Sequence, residues 1–440
     1  MFITSRYCCL TPILAAAAAL AGCSQDGPPP PPEWAINVGG PAYSSTDGIE
    51  FESDDDRVSG TAATLEGIKG SQDSFLYETY RGGDIHVSRA VPNGTYDVTL
   101  YFAEPADVEG GERLFDALIE GQTVVEEIDV MAWRDGKVRS ALTVVVPGVE
   151  VSDGEMNISF AASAMEPVLS GVAVKPISAR RANEYSLVWS DEFDDGFDES
   201  IWNYDIWPSR TVNDEDQAYT DREKNLRVED GFLIIEAHRE DYGDAKYTSG
   251  RVHSAGKRDI LYGRIDVRAK LPSGKGSWPA IWMLPSDPFR YATNCSEGDT
   301  WQGNDECDAW PNSGEIDIME HVGYQMGHVH GTVHNKAYYW VGWEQRKGRV
   351  ILDDVDTKFH VYSLEWTPER IDVLVDDILY FTYVNEGDGW RSWPYDHAHH
   401  LILNIAVGGW WGRAGGGIDD SIFPQQMHVD YVRVYEFDEA

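Results

Sequence analysis

Three carboxylates stand close together in the stretch "SGEIDIMEH", positions 313–321: Glu315, Asp317 and Glu320. Two glutamates facing one groove can break a glycosidic bond, one attacking or activating water while the other protonates the departing oxygen. A third acid between them can hydrogen-bond one partner and, by like-charge repulsion, help keep another carboxyl protonated. The interleaved isoleucines read as a β-strand, whose side chains alternate between faces. Glu315 and Asp317 then share a face, whereas Glu320 falls on the other, beside Ile316 and Ile318. A bulge near Ile318 or Met319 removes the conflict, because it sets two residues against one on the neighbouring strand. On this reading Met319 is the spacer and all three acids line one concave surface. The competing reading is an ordinary strand with a charged solvent face.

The neighbouring sequence favours the groove. "GKGSWPAIWMLP" gives Trp278 and Trp282 the same parity, "HVHGTVH" sets His330, Thr332 and His334 on one face, and "LNIAVGGWWG" carries Trp410 and Trp411. Aromatic faces suit the apolar faces of sugars, and histidine can orient a catalytic acid.

The elements that must position these groups are strands. Residues 34–177 contain alternating runs such as "GTYDVTLYF", "RLFDALIEG" and "ALTVVVPGVEV" between Gly, Pro and Asn turns, as in a β-sandwich. Beyond the polar connector "VKPISARRANE", residues 185–437 turn Trp-rich and close on the alternating run "MHVDYVRVYEF". No useful helix-period stretch occurs in either half, so both read as all-β. A chain of 440 residues is too long for one ordinary core, in keeping with two domains. Its 16 Trp and 22 Tyr suit sugar-facing platforms, and a formal net charge of -40 argues against nucleic acid or an anionic lipid surface as partner.

The chain starts with an Arg6-bearing segment, the apolar run "LTPILAAAAAL" and then "LAGC". The apolar run is short for a membrane span and suits a secretory signal. "LAGC" resembles a bacterial lipoprotein cleavage box, which implies removal of residues 1–22 and lipidation of Cys23. Ser24 then favours the outer membrane of a Gram-negative cell; the alternative is a plain secretory signal. Residues 23–33 are Pro-rich and are expected to form a stiff, extended linker. Loss of Cys8 and Cys9 with the signal, and lipidation of Cys23, leave Cys295 and Cys307. In an exported chain these are expected to pair, a metal site being the weaker reading.

Residues 34–177 resemble a malectin-like domain through "AINVGGPAYSSTDGIEFESD", "VPNGTYDVTLYFAE" and "GERLFDALIEGQ". Such domains usually continue "FAE" with aromatics, where this chain has "PADVEGG". Tyr77, Tyr80 and Tyr101 suit either a sugar-stacking surface or a core. Residues 185–437 resemble glycoside hydrolase family 16, in its laminarinase branch of endo-β-1,3-glucanases. The phrases are "WSDEF", "NDEDQAYT", "TSGRV", "GSWPAIWMLP", "GEIDIMEHVG", "LNIAVGGWW" and "FPQQMHVDYVRVY".

That resemblance implies a jelly-roll β-sandwich with a long open cleft, on a chain expected to be monomeric and to take β-glucan polysaccharide. It implies Glu315 as nucleophile, Glu320 as general acid and then base, Asp317 as supporting carboxylate, and retention of configuration. Asn213, Arg251, Trp278, Trp282 and His334 match positions near the cleaved unit, and Trp410 or Trp411 would shape the cleft. The family's usual "GGNW" is "GGWW" here. Catalysis needs no cofactor. A structural calcium is expected at Glu192 and Gly231, through backbone oxygens, and at Asp430, the alternative being no ion. Mixed-linkage glucan, a red-algal galactan, or a non-catalytic glycan-binding role are the competing readings of function.

Overall fold

The computed structural model describes residues 34–54, 57–177, 185–295, 307–342 and 344–437. The expected signal, Cys23 and the 23–33 linker lie outside the described residues. Nearly all regular structure is strand, arranged as two sandwiches.

The C-terminal half packs two sheets face to face. In one, seven strands run side by side in the order Asn203–Tyr204, Arg251–His253, His399–Val407, Ser277–Pro285, Glu315–His321, His328–His334 and Arg346–Ile351. The opposing sheet includes Gln425–Phe437, Gly263–Lys270, His360–Trp366, Arg370–Val375 and Ile378–Val384. Between them lies a closed apolar core that includes Ile316, Ile318, Met319, Val333, Val350, Leu403 and Ile405. Its residues come from alternate positions of the strands, as a pleat buried on one side requires, with the adjacent pair Ile318 and Met319 as the exception. The other side carries the acids, tryptophans and histidines.

The sheet does not stop at Arg346–Ile351. It continues into the N-terminal half through one parallel pairing, Val145 to Val350, and then through strands Leu142–Val151, Gly94–Phe102, Gly171–Pro176 and Trp34–Asn37. Val145 is buried in the C-terminal core, whereas Val144, Val146 and the adjoining Ile351 pack against the N-terminal core. Ile351 has the parity of the groove-facing Lys347 and Arg349, so the N-terminal core rises on the groove side of the shared sheet. Its second layer is the four-stranded sheet His86–Ala90, Glu155–Ala164, Leu114–Ile119 and Gln122–Ile128.

Tyr77, Tyr80 and Tyr101 all pack against N-terminal apolar clusters. Tyr77 is buried and shares a 2.8 Å hydrogen bond with Thr143 Oγ1. Tyr77 and Tyr101 also line a cavity of about 390 Å³ at the seam between the halves, together with Arg346 and Tyr380.

Candidate active site

The acid strand Glu315–His321 starts at a turn that only glycine suits. Gly314 has φ +92°, and a Cβ there would meet Tyr395 Cε1 at 3.0 Å. Glu315 then opposes His334 and Asp317 opposes Thr332, in regular antiparallel register. The next pair is Glu320 with His330, so three steps on the acid strand match two on its neighbour. On the other side Asp317 faces Trp282 and Met319 faces Ile281. The unpaired residue there is Ile318, which moves the bulge one place from the spacer expected at Met319. Ile318 and Met319 both turn into the core, and Glu320 returns to the face of Glu315 and Asp317. Tyr380 fastens the bulge from the opposing sheet by donating to the Ile318 carbonyl at 2.6 Å.

Tryptophan N–H groups hold both glutamates. Trp310 Nε1 donates to Glu315 Oε2 at 2.9 Å, and Trp278 Nε1 donates to Glu320 Oε1 at 3.1 Å. His334 Nε2 stands 3.4 Å from Asp317 Oδ2 and 3.7 Å from Glu315 Oε1. Donor atoms of Glu315, Asp317 and His334 lie within 4.8 Å of one another, which suits either proton sharing or a metal.

Burial raises all three acids. Burial and the charge of Glu320 raise Glu315, against the opposing pull of Trp310, Arg251 and Asp317. Burial raises Glu320, opposed by the Trp278 hydrogen bond and the charge of Lys347. Asp317 rises well above the usual carboxylate range through burial and both glutamates, and its hydrogen bond favours the proton staying on Asp317 rather than on Glu315. Burial lowers His334 to about 3, so the ring is neutral.

Around this centre the other expected residues divide. Trp282 Nε1 donates to Asn404 Oδ1 at 2.7 Å, which fixes its ring. The Arg251 guanidinium is sandwiched between Trp207, 4.3 Å from the ring centroid, and Trp282, at 4.9 Å. It lies 2.8 Å from Asp205 and is 3% exposed, so it braces the tryptophan wall more than it offers a free charge. Asn213 sits at the margin, donating to Glu215 and accepting the Trp410 N–H at 3.0 Å. Trp411 stacks edge-on to Trp278 and His330, while Trp410 projects outward and is 61% exposed. Cys295 and Cys307 are joined as a disulfide.

Two of the residues expected at a calcium site have carboxylates paired with arginines. Asp430, the one side-chain ligand expected, is ion-paired with Arg268, and the Glu192 carboxylate takes two hydrogen bonds from Arg433, at 3.0 and 2.9 Å. As they stand, these carboxylates fit their arginines and not a cation; only the backbone oxygens of Glu192 and Gly231 are left from that set.

Sequence reasoning passed over Trp310, Tyr380, Trp340 and Lys347. Trp310 stands five positions before Glu315 and was open to notice as an aromatic beside an acid strand. Tyr380 comes from the other sheet, and nothing local marks it.

A family model described as glycosyl hydrolases family 16 matches residues 210–433, just over half the chain. The chain belongs to that family. A malectin domain model matches residues 33–171 of the same hydrolase. A β-glucanase of Rhodothermus marinus is 48% identical over 265 residues, covering 58% of this chain and 87% of that protein. The X-ray structure of the laminarinase from Rhodothermus marinus superposes with a TM-score of 0.53 at 47% identity, covering 59% of this hydrolase and 100% of that chain. The non-specific endo-β-1,3(4)-glucanase SCLam gives a TM-score of 0.51 at 41% identity, covering 59% and 93%.

Proposed function

We propose that this family 16 hydrolase cuts internal β-1,3 bonds of laminarin-like glucans, with retention, by double displacement. The observation that carries the reading is the bulge at Ile318, which brings Glu320 onto the face of Glu315 and Asp317 and sets each glutamate against a tryptophan N–H. In the first step the Glu315 carboxylate attacks the anomeric carbon, the bond to the leaving oxygen breaks, and Glu320 gives that oxygen its proton. In the second, water attacks the same carbon, Glu320 takes the water proton, and Glu315 departs. Asp317, holding its own proton toward Glu315, keeps the nucleophile ionised while the site is closed by sugar. Trp278 and Trp282 offer ring faces to the sugars on either side.

The β-1,3 choice is supported by the relatives named for laminarin and 1,3-glucan. Release of short oligosaccharides from laminarin, lost in Glu315→Gln, is the expected result. Equal release by that variant refutes the nucleophile, and release from lichenan or agarose but not laminarin refutes the linkage. The "LAGC" box extends the proposal to a lipid-anchored enzyme at the outer membrane, tested by fatty-acid labelling that Cys23→Ser abolishes.

A further inference from the structure

The N-terminal domain meets the groove at one particular stretch. Between its second layer and its shared-sheet strand Leu142–Val151, the chain forms a short helix, Val130–Trp133, and a turn through Lys137. Trp133 caps the end of the groove sheet, with its ring 4.5 Å from that of His328 and 4.7 Å from the Arg349 guanidinium. Past it, Asp135 Oδ2 lies 3.3 Å from Lys347 Nζ, and Lys137 Nζ donates to the Trp340 carbonyl at 3.2 Å. Lys69 and the Gly70 N–H hold Glu344, at 3.5 and 3.3 Å. Within a chain so rich in acid, cations from the N-terminal domain are thus gathered on the catalytic stretch that carries Trp340, Glu344, Gln345 and Lys347.

That stretch reaches the reacting groups. Gln345 Nε2 is 3.3 Å from His334 Nε2, and Lys347 opposes Thr332 on the groove face, with its ammonium 5.9 Å from the Trp411 ring. Trp340 follows His334, at the Glu315 end of the acid strand. Trp410 follows Val407, which pairs with Ser277; the Ser277 carbonyl binds the Gly323 N–H at 2.9 Å, at the Glu320 end. The two rings nevertheless meet, with centroids 5.7 Å apart, although they are 41% and 61% exposed. Two lips of the groove are therefore bridged by an aromatic contact, and one pier of the bridge is fastened to the N-terminal domain.

We propose that Asp135 and Lys137 of the N-terminal domain are positioning residues for glucan cleavage, latching the Trp340 bridge and Lys347 in place over the substrate groove. The N-terminal domain is then part of the substrate site, and a polymer is gripped beneath Trp340 and Trp410. The proposal rests on the reading of this groove as the glucan site.

The test uses the full chain and initial rates on laminarin. Asp135→Asn combined with Lys137→Met is expected to raise KM roughly three- to tenfold, the worth of one or two partly exposed polar contacts, with kcat within about twofold. Trp340→Ala is expected to raise KM by a similar factor, and adding it to the double variant should raise KM no further, because both act through one element. Asp135→Glu and Lys137→Arg should restore most of the affinity. Lys137→Met alone, at a half-exposed position, serves if the double variant does not fold. Unchanged KM in the latch variants, multiplication with Trp340→Ala, or loss confined to kcat overturns the proposal. Failure of the groove reading shows separately, as laminarin cleavage that survives Glu315→Gln.

Discussion

Replacing Tyr380 with phenylalanine removes one oxygen and leaves the ring, so it tests the bulge without opening a large cavity. The phenol is 3% exposed and its 2.6 Å hydrogen bond satisfies the carbonyl of Ile318, the residue left over in the register with the tryptophan strand. The ring itself is closely held: a Cβ on Gly331 would meet Tyr380 Cε2 at 3.0 Å. Loss of the donor leaves a buried carbonyl unsatisfied, at a cost of about 1–3 kcal/mol, well inside the usual 5–15 kcal/mol of a folded domain. Function should suffer more than stability. The bulge aims Glu320, and a displacement of about 1 Å in a reacting group can cost on the order of 100-fold. Urea unfolding together with kcat on laminarin is the assay, with about 1–3 kcal/mol lost and kcat down roughly 10- to 100-fold at similar KM. A variant destabilised by that amount yet with the parent kcat would show that Tyr380 does not set the aim of Glu320.

The tryptophan donors give predictions in pH. Trp278 holds Glu320 down, so Trp278→Phe should let its pKa rise and keep the acid protonated further up, moving the alkaline limb of kcat/KM to higher pH. Trp310 does the same for Glu315, which must be ionised, so Trp310→Phe should move the acid limb to higher pH; limbs that stay in place contradict both assignments. Stability should run the other way from activity in Glu315→Gln. Burial and the charge of Glu320 raise Glu315 above its ordinary range, so ionising it costs the folded state more than the unfolded chain; that cost to stability begins above the unfolded pKa and is complete above the folded one. Glu315→Gln is expected to be more stable than the parent near pH 9 and equal to it near pH 4, read as unfolding free energy at each pH.

The acid strand shows what was legible beforehand. The parity of Glu315, Asp317 and Glu320 demanded an irregularity, because a strand has a fixed two-residue period. Of the two positions the sequence offered, Ile318 and Met319, neither pairs with the strand His328–His334, and only the register with Ser277–Pro285 singles out Ile318, a tertiary fact. Alternation likewise announced two all-β halves, but not their fusion through Val145 and Val350, since valines on an edge strand read alike whether or not another edge meets them. The expected role of Arg251 near the cleaved unit gave no hint that Asp205 and two tryptophans enclose it. Asp430 was expected at a calcium site through the family resemblance, which gave no hint of Arg268 beside it, a neighbour brought there by strand pairing. Trp340 and Lys347 were invisible because their importance comes from N-terminal residues 203 and 212 positions upstream.

The central claim is that Glu315 and Glu320 act from one face of a bulged strand as nucleophile and acid. Proton NMR of the anomeric signals during the first minutes of laminarin cleavage tests it most directly. The account predicts that the β-anomer of the new reducing end forms first and then mutarotates. Initial release of the α-anomer would mean a single displacement by water, and would contradict the assignment of Glu315 as nucleophile.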